Sequence, residues 1–290
     1  MRSSASVAGR RILITGAARG IGATLAVRLA SRGAHVALVG LEGDALAETA
    51  SRCGDAPWAV CDVADRASLD RAVTEVVAIL GGLDVVVANA GVVAQLPLIG
   101  GDPAVWDRTI AVNLTGAYDT VRLAAPYVAH RSGYVLLVSS IAGAVHPPLL
   151  GAYAASKAGV EALGDSLRPE LTTSGARVGI AYFGEIDTEM TAEGFSTKAA
   201  RVLNVGPLTR AAPVESAAAA LEHGIEHRSR VVVAPRWVRP AVPFRTQAQR
   251  VVELALRRRA PRAVALARTE HPGLTTPAPR ESQSDGRDRP

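Results

Sequence analysis

The feature of this 290-residue chain that most restricts its fold is a repeated alternation of short apolar runs with longer Ala-rich stretches. The runs do not alternate in polarity, which is typical of strands buried on both faces of a parallel sheet. The stretches between them, for example residues 66–80 and 152–173, are long enough for crossover helices. This alternation predicts a single doubly wound α/β domain of about seven parallel strands flanked by helices. The predicted strands cover residues 12–14, 35–39, 58–61, 83–88, 134–138, 178–183 and 230–234.

A loop with three spaced glycines follows the first predicted strand. It reads TGAARGIG over residues 15–22, with Gly16, Gly20 and Gly22 ahead of a helix. Glycines at such a turn let the backbone approach a pyrophosphate, which sits on the helix N-terminus. The spacing GxxxGxG differs from the commoner GxGxxG. A tight turn that merely needs glycine is therefore the alternative to a dinucleotide site.

The ends of the second and third predicted strands are where the adenosine half of a dinucleotide would bind. An acid usually meets the ribose hydroxyls at the end of the second strand. Gly40 stands there, and Glu42 comes two residues later. Asp62 closes the third strand and is placed to meet an adenine amino group. An Asp that simply starts a loop is an equally good interpretation.

A tyrosine and a lysine four residues apart lie in the Ala-rich stretch 152–173. On a helix, Tyr153 and Lys157 share one face, with Cβ atoms about 5–6 Å apart. An ammonium about 4 Å away favours a phenolate by up to about 4 kcal/mol at a dielectric near 20, which brings the phenol into the catalytic pKa range. A chance pair on a solvated helix face is the alternative. However, Lys157 is one of only two lysines among 32 basic residues, so a compact ammonium is needed there.

Further polar residues are expected at the same edge of the sheet. Ser139 and Ser140 end the fifth predicted strand, where a hydroxyl could donate to a substrate oxygen, although serine pairs commonly end strands. Asn89 follows the fourth strand within Asn89-Ala-Gly91. Asn113 falls inside a predicted helix over 104–129, where Asn is a mediocre residue. A buried Asn113 would need a purpose, and holding a water is one.

The basic excess lies almost wholly at the C-terminal end. The net charge is +5; residues 239–290 hold 11 Arg and 5 acids, whereas residues 1–238 hold 21 basic and 22 acidic residues. A nucleic-acid protein is expected to carry a basic stripe on its folded body, so nucleic acid is not an expected partner. The chain therefore divides into a nucleotide-binding and catalytic domain over 1–238, a basic helical extension over 239–270 and a disordered tail over 271–290.

Cysteine use and apolar spacing exclude several classes of protein. Cys53 and Cys61 match no disulfide or metal-binding pattern, so no metal site is predicted. A reducing compartment fits them best, which predicts a cytoplasmic protein. No apolar run reaches the length of a membrane-spanning helix, and the first six residues lack the apolar core of a signal peptide. Contact between the basic extension and a membrane surface stays an open alternative.

Taken together, these motifs resemble the short-chain dehydrogenase/reductase family, of the classical type, over about residues 9–238. They occur in the family's order: TGAARGIG at 15–22, Asp62-Val63, Asn-Ala-Gly at 89–91, Asn113, Ser140 and Tyr153-x-x-x-Lys157. The resemblance implies a Rossmann-type domain that uses NAD or NADP. It also implies a homotetramer or homodimer, in which the helices 104–129 and 152–173 pair with their two-fold mates.

The resemblance implies a role for each motif residue. Tyr153 would be the general acid and base, and Lys157 would lower its pKa and hold the nicotinamide ribose. Ser140, thirteen residues before the tyrosine, would orient the carbonyl oxygen, and Asn113 would position a relay water. The residues implied to bind the cofactor are Gly16, Ala18, Arg19, Gly20, Ile21, Gly22, Leu41, Glu42, Asp62, Val63, Asn89, Ala90, Gly91, Tyr153, Lys157, Gly184, Ile186 and Thr188.

Three positions depart from the family pattern. One is Pro169, late in the helix that carries Tyr153, which predicts a kink or a break near Arg168. The family often has a second Asn where Ala88 precedes Asn89. It usually has Pro-Gly after the sixth strand, where this chain has Phe183-Gly184. That change leaves the course of the loop open and lets Phe183 project towards the substrate. Thr188 still matches the threonine that meets the nicotinamide amide.

The choice between NAD and NADP comes down to one cation and one acid. Gly40 removes the carboxylate that would repel a 2′-phosphate, and Leu41 stands where NADP-preferring relatives often carry Arg. Arg19 is the remaining candidate cation, with a surface role as the alternative, and Glu42 could serve as ribose acceptor. The balance leans slightly towards NADP.

The expected activity is NAD(P)-dependent interconversion of a secondary alcohol and a ketone. The expected lining is mainly apolar and predicts a mainly apolar, non-anionic small molecule such as a lipid-like or terpenoid alcohol, although each residue could equally be packing. Two other classes stay open: a nucleotide-binding regulatory protein without catalysis, and a protein that binds a membrane surface or partner through its basic tail. The candidate substrate residues are Val92, Val93, Gln95, Leu96, Ile141, His146, Leu149, Phe183 and the loop 189–212.

Overall fold

Seven parallel strands form the centre of the computed structural model, which describes residues 6–204, 210–270 and 274–275. Their order across the sheet is β3-β2-β1-β4-β5-β6-β7, and each neighbouring pair is parallel. This confirms the predicted doubly wound α/β fold. The strands are β1 (Arg11–Thr15), β2 (His35–Gly40), β3 (Trp58–Val60), β4 (Val85–Ala88), β5 (Tyr134–Val138), β6 (Arg177–Phe183) and β7 (Val231–Ala234).

Helices cover both faces of the sheet. One core cluster joins the sheet to α1, α2 and α9, and a second joins it to α3, α5 and α6. The helices are α1 (Gly20–Ser31), α2 (Gly43–Arg52), α3 (Arg66–Leu80), α4 (Pro103–Ile110), α5 (Gly116–Val128), α6 (Gly151–Glu170), α7 (Glu189–Gly194), α8 (Lys198–Leu203), α9 (Val214–His227), α10 (Val238–Ala241), α11 (Arg245–Leu256) and α12 (Ala260–Glu270).

The two clusters explain why successive positions inside the central strand β1 are all apolar. Successive side chains of a strand point to opposite faces of the sheet. In β1, Ile12 and Ile14 pack in the cluster that contains Leu25 of α1, whereas Leu13 packs in the cluster that contains Leu69 of α3. Because both faces are covered by helices, neither set of positions meets water.

The strand order places a crevice at the carboxyl edge of the sheet. β1 lies between β2 and β4, so the chain proceeds outward from β1 in both directions. The loops that leave β1 and β4 therefore diverge from each other. In open α/β sheets, ligands bind outside the carboxyl ends of the strands at this point of reversal.

A buried tyrosine ties β5 to the start of β7 across β6. Tyr134 is fully buried, and its hydroxyl donates to the Ser229 carbonyl oxygen at 2.7 Å. The side chain crosses β6 at Gly179, where an added Cβ would lie 2.0 Å from the Tyr134 Oη. Glycine weakens a strand interior and often marks a close approach. Here the close approach is the passage of the tyrosine.

The helix predicted over 104–129 is interrupted. α4 ends at Ile110, a π-helical turn covers Ala111–Thr115, and α5 begins at Gly116. Asn113 is the central residue of that turn. A π turn accommodates one extra residue and is frequent at functional sites. The π-helical turn could not be predicted from the sequence, because the residues AVNLT contain neither Gly nor Pro.

The basic extension folds as α10, α11 and α12 against the catalytic domain. Arg245, which begins α11, pairs with Glu161 of α6, with 2.5 Å between Nη2 and Oε1. Ala263 of α12 packs in a cluster with Leu149 and Ala199. The predicted boundary between residues 238 and 239 falls inside α10. The extension is therefore continuous with the domain.

Leu274 and Thr275 are the described residues of the segment predicted to be disordered. Thr275 is 5% exposed; its N–H donates to the Val93 carbonyl at 3.3 Å, and its hydroxyl accepts from the Val93 N–H at 3.3 Å. For these two residues the prediction of disorder is wrong, because Val93 lies beyond the end of β4 and its backbone groups take the tail as partner. The rest of that segment lies outside the described residues. Within the described ranges, no helix is long and apolar enough to cross a bilayer.

Candidate active site

A cleft at the carboxyl edge of the sheet gathers most of the predicted site residues. It is bordered by the loops after β1 and β4 and by the ends of β5 and β6. Of the predicted catalytic and cofactor residues, Gly22 and Asn113 lie behind its wall. The others line it: Gly16, Ala18, Arg19, Gly20, Ile21, Leu41, Glu42, Asp62, Val63, Asn89, Ala90, Gly91, Ser140, Tyr153, Lys157, Gly184, Ile186 and Thr188.

The glycine loop leaves the start of α1 available to an anion. Arg19, the N-cap residue of α1, makes no side-chain cap bond, and the first turn carries no acid. The first amides of a helix need a partner from elsewhere, and an anion satisfies them well. A Cβ at Gly22 would lie 2.2 Å from the Gly16 carbonyl oxygen, so glycine is required for α1 to start this close to the loop. This arrangement fits the pyrophosphate of a dinucleotide.

Asn89 fastens the end of β4 to the glycine loop. Its Nδ2 donates to the carbonyl oxygens of Thr15 at 3.0 Å and Gly16 at 3.2 Å. The Thr15 hydroxyl accepts from the N–H groups of Asn89 at 3.1 Å and Ala90 at 3.3 Å. The Asn89 amide is therefore committed to the protein itself. It fixes the distance between the two loops that frame the cleft.

Charged side chains pair with each other at the end of the cleft assigned to adenosine. Arg19 Nη2 lies 3.1 Å from Glu42 Oε1, and Arg19 Nη1 lies 2.7 Å from Glu189 Oε2. The cation that the sequence offers to a 2′-phosphate thus already has two carboxylate partners. Asp62, the candidate partner of adenine, lies 2.8 Å from Arg108, measured from Oδ2 to Nη1.

Arg108 is a cleft residue that sequence reasoning missed. It lies on α4 and reaches Asp62 across the fold. Its Nε is buried and has no hydrogen-bond partner among the described residues, which leaves one donor for a bound molecule. Nothing in the local sequence distinguishes this arginine from the many others. The further lining residues that were not anticipated include Cys61, Val112 and Val138.

Tyr153 and Lys157 lie one turn apart on α6 and both line the cleft. Lys157 Nζ donates to the Val138 carbonyl at 2.9 Å and lies 5.7 Å from the centre of the Tyr153 ring. Burial lowers the pKa of Lys157 to about 8. Burial also raises the pKa of Tyr153, and a hydrogen bond with Ser140 acts in the opposite direction. Desolvation therefore outweighs the lowering of the phenol's pKa that the sequence argument expects from the lysine.

The two serines at the end of β5 have different partners. Ser139 Oγ donates to the Lys157 carbonyl at 2.8 Å and so holds α6 against the strand. Ser140 Oγ donates to the Phe183 carbonyl at 3.3 Å, and against the rise caused by burial this hydroxyl lowers the pKa of the neighbouring Tyr153 phenol. The structure therefore brings the hydroxyl of Ser140 and the phenol of Tyr153 together.

Asn113 braces the chain just beyond β4. It is 1% exposed; its Oδ1 accepts from the Val92 N–H at 2.7 Å, and its Nδ2 donates to the Val92 carbonyl at 2.9 Å. Nδ2 also donates to Ser156 Oγ at 3.1 Å. Both ends of the amide are therefore used by the protein. The side chain links α4–α5, the β4 loop and α6.

The candidate substrate residues separate into two groups. Phe183 lines the cleft. Gln95 is buried and accepts from the Thr197 hydroxyl at 2.6 Å, next to α8. The His146 N–H donates to Gln249 of α11 at 2.8 Å. Ile141 packs beside β6 and α10, and Val93 is paired with the tail. Val92 and residues 189–191 of the candidate loop line the cleft together with Phe183, whereas Gln95, His146, Ile141 and Val93 hold or underlie the elements around it.

Comparisons with known proteins agree on one family. The family model described as short chain dehydrogenase matches residues 10–199. An uncharacterized oxidoreductase of Mycobacterium tuberculosis is 38% identical over 196 residues, which cover 65% of this chain and 78% of that protein. The trans-4-hydroxycyclohexanecarboxylate dehydrogenase of Sinomonas cyclohexanicum is 38% identical over 201 residues, or 66% of this chain and 78% of that protein. Among solved structures, a dehydrogenase/reductase from Sinorhizobium meliloti 1021 matches with a TM-score of 0.70 and 26% identity, over 79% of this chain and 95% of that one.

The buried lysine predicts a specific pH dependence of stability. The pKa of Lys157 is about 8 in the folded protein and 10.5 in an unfolded chain. Between pH 8 and pH 10.5 the lysine is mostly neutral in the folded protein but still protonated in the unfolded chain, so the unfolded state binds more protons. The free energy of unfolding therefore rises with pH in this range, and Lys157 causes no such rise below pH 8. Lys157→Met should remove that rise. The free energy of unfolding of Lys157→Met minus that of wild type should fall by about 2–3 kcal/mol from pH 7 to pH 10.

Urea unfolding of the cofactor-free protein at a series of pH values measures this difference. The control is Lys198→Met, which removes the chain's other lysine from an exposed position and should leave the pH dependence unchanged. Parallel stability curves for wild type and Lys157→Met would show that Lys157 is not perturbed by burial.

Proposed function

Since the chain belongs to the short-chain dehydrogenase family, we propose that it interconverts a secondary alcohol and a ketone on a mainly apolar small molecule, with Tyr153 as general acid and base. As a member of that family it is an NAD(P)-dependent oxidoreductase that acts on alcohol or carbonyl groups. The observation that carries the proposal is the meeting of Tyr153, Lys157 and Ser140 in the cleft that the glycine loop borders.

The residues of the cleft fit a nicotinamide dinucleotide. The open N-terminus of α1 would hold the pyrophosphate, and the buried Nε of Arg108 offers a donor near Asp62 at the adenosine end. Lys157 would bind the nicotinamide ribose, and Thr188 would meet the nicotinamide amide. When bound, the dinucleotide supplies or accepts the hydride. Every other part of the reaction falls to side chains of the protein.

Tyr153 would move the proton. Its hydroxyl would donate to the carbonyl oxygen during reduction and accept from the alcohol during oxidation. Ser140, which lines the cleft beside that phenol, would hold the substrate oxygen in the same position. Lys157, as an ammonium below pH 8, would stabilise the phenolate.

We place Asn113 in a positioning role. Because its amide is taken by Val92 and Ser156, the side chain would act by fixing the β4 loop against α6. A relay water would then bind the backbone of the π-helical turn Ala111–Thr115, since a π turn changes which carbonyls find helical partners.

The chemistry around the cleft supports an apolar alcohol. Val92, Phe183, Ile186 and Met190 give it a largely apolar wall near Tyr153. Such pockets recognise a substrate by shape and by a few polar groups. The relative from Sinomonas is named for an alcohol on a six-membered carbon ring, which is a secondary alcohol of suitable size. Both cysteines, Cys53 and Cys61, are free thiols, which fits the cytoplasmic location we propose.

Replacing Tyr153 tests the proposed reaction. Tyr153→Phe should lower turnover to below about 1% of wild type, because the group that donates and accepts the proton is removed. NADH or NADPH binding should be nearly intact, because the glycine loop is untouched. The readout is absorbance at the nicotinamide wavelength over a panel of ketones and alcohols. Tyr118→Phe, on the exposed face of α5, is the control. Turnover above about 1% would rule out the role given to Tyr153.

We propose NAD as the preferred cofactor, against the slight lean of the sequence towards NADP. Arg19 is paired with Glu42 and Glu189, so this group of three carries a formal charge of −1 beside the adenosine end. A 2′-phosphate would bring further negative charge to the two carboxylates. Glu42 also remains close enough to accept from ribose hydroxyls, the role that an acid at the end of β2 usually fills.

The cofactor preference can be reversed by neutralising these acids. In the double variant Glu42→Gln/Glu189→Gln, the charge of Arg19 is no longer offset by these two carboxylates, which favours a phosphate beside it. The ratio of NADPH to NADH affinity should rise at least about tenfold over wild type, the scale of one hydrogen bond to a charged group. Fluorescence titration with both cofactors measures it, with Glu75→Gln at an exposed position on α3 as the control. A wild type that prefers NADPH, or an unchanged ratio, would contradict the proposal.

We also propose a homodimer or homotetramer built on α4, α5 and α6. Exposed aromatic side chains support this: Trp106 is 37% exposed, and Tyr118 and Tyr127 are each 43% exposed. All three lie on α4 or α5, and aromatic residues are enriched in the cores of interfaces.

Light scattering at micromolar concentration tests the assembly. The wild type should have two or four times the mass of one chain. The variant Tyr118→Glu/Tyr127→Glu should dissociate, because two carboxylates would be buried at the interface. Ile79→Glu, at a 64% exposed position on α3, is the control and should keep the wild-type mass. A monomeric wild type would refute this assembly.

A further inference from the structure

We propose that this enzyme binds the surface of anionic membranes through the outward side of α11. We call this the α11 face: the exposed apolar residues Phe244, Val251 and Leu254, with the exposed arginines of the segment 236–270 that carries them. The family match ends at residue 199, so the α11 face lies beyond the matched region. The proposal does not depend on turnover and extends beyond the function given above.

The apolar part of the α11 face has no partner within the described chain. Leu254 is 75% exposed, Val251 63% and Phe244 61%. Their spacing of seven and three residues places them on one side of the helix. Trp237, 40% exposed, lies just before this segment. Aromatic and aliphatic side chains on one helix side are the part of an interfacial helix that enters the lipid boundary.

The charge around this face is strongly positive. Between residues 236 and 270, eight arginines are exposed, against one exposed acid, Glu253. Within the described ranges, none of the eight pairs with a carboxylate. Their positive charges are therefore available to a negative surface. The arginines are Arg236, Arg239, Arg250, Arg257, Arg258, Arg259, Arg262 and Arg268.

The opposite side of α11 is fixed to the catalytic domain. Arg245 pairs with Glu161, and Gln249 accepts from the His146 N–H at 2.8 Å. Leu256 is 5% exposed. The exposure of the apolar residues of the α11 face is therefore not the result of an undocked helix. The helix is docked on one side and exposes a second amphipathic side.

The α11 face lies beside the segment 146–149, which contains the candidate substrate residues His146 and Leu149. A groove between that segment and α11 is lined by His146 and Pro148 on one side and by Arg250, Leu254 and Arg257 on the other. A mainly apolar substrate partitions into lipid. An enzyme bound to the lipid surface by the α11 face, with this groove beside it, would therefore meet its substrate where the substrate concentrates.

Charge complementarity favours an anionic bilayer as the occupant. Each Arg near an anionic leaflet adds about 1 kcal/mol of attraction, and buried apolar side chains add to it. The probe is a vesicle of phosphatidylcholine with about 30 mol% phosphatidylglycerol, compared with phosphatidylcholine alone. The full-length wild type should sediment with the anionic vesicles and not with the neutral ones. Raising the salt to about 0.5 M should release it.

Two variants test separate parts of the α11 face. Val251→Glu/Leu254→Glu should lower the affinity for anionic vesicles at least about tenfold, by removing apolar contact and adding repulsion. Arg257→Glu/Arg258→Glu should do the same without altering an apolar residue. Ile79→Glu, exposed on α3, is the matched control and should bind like wild type. Thermal midpoints by circular dichroism check that each variant is folded.

The possible outcomes are distinct. Tyr153→Phe should bind vesicles like wild type, so a failure of the catalytic proposal does not affect this result. Absence of wild-type binding to anionic vesicles, or full binding by both α11 variants, would overturn the inference. A fall in oligomer mass in Val251→Glu/Leu254→Glu, without wild-type vesicle binding, would assign the α11 face to a second copy of the chain and overturn it equally.

Discussion

Two reciprocal hydrogen bonds between β5 and α6 determine where the chemistry of this protein can occur. Lys157 Nζ donates to the carbonyl oxygen of Val138, and the Ser139 hydroxyl donates to the carbonyl oxygen of Lys157. In each bond one residue lies at or just beyond the end of β5 and the other is Lys157 of α6. This contact places Tyr153, one turn earlier on α6, in the same cleft as Ser140, two residues beyond the strand. The same lysine thus anchors the helix and supplies the ammonium of the site.

The parts of the structure that repeat along the chain could be predicted from sequence. Strands covered on both faces are apolar throughout, and a glycine loop after β1 limits what the turn can bind. The interval from Tyr153 to Lys157 is likewise readable, because four residues on a helix fix a shared side. In each of these cases the physical cause lies within a few neighbouring residues.

What could not be predicted depends on pairs that are distant in sequence. Arg19 meets Glu189, 170 residues away, and this pairing changes the charge that a cofactor phosphate would encounter. Asn113 can be recognised in the sequence as an unusual helix residue. Its hydrogen bonds with the backbone of Val92 could not be predicted, because they depend on how the loop after β4 packs against the helix. The π-helical turn has the same origin. It is a local adjustment to packing, and no residue within it demands that geometry.

The passage of Tyr134 across Gly179 has a consequence for how related sequences can diverge. A side chain at position 179 would lie 2.0 Å from the tyrosine hydroxyl and 2.4 Å from the carbonyl oxygen of Ser229. A smaller residue at 134 would remove the first collision and leave a cavity, but it would not remove the second. Because the second collision is with the backbone, glycine at 179 should persist among relatives even where residue 134 has changed.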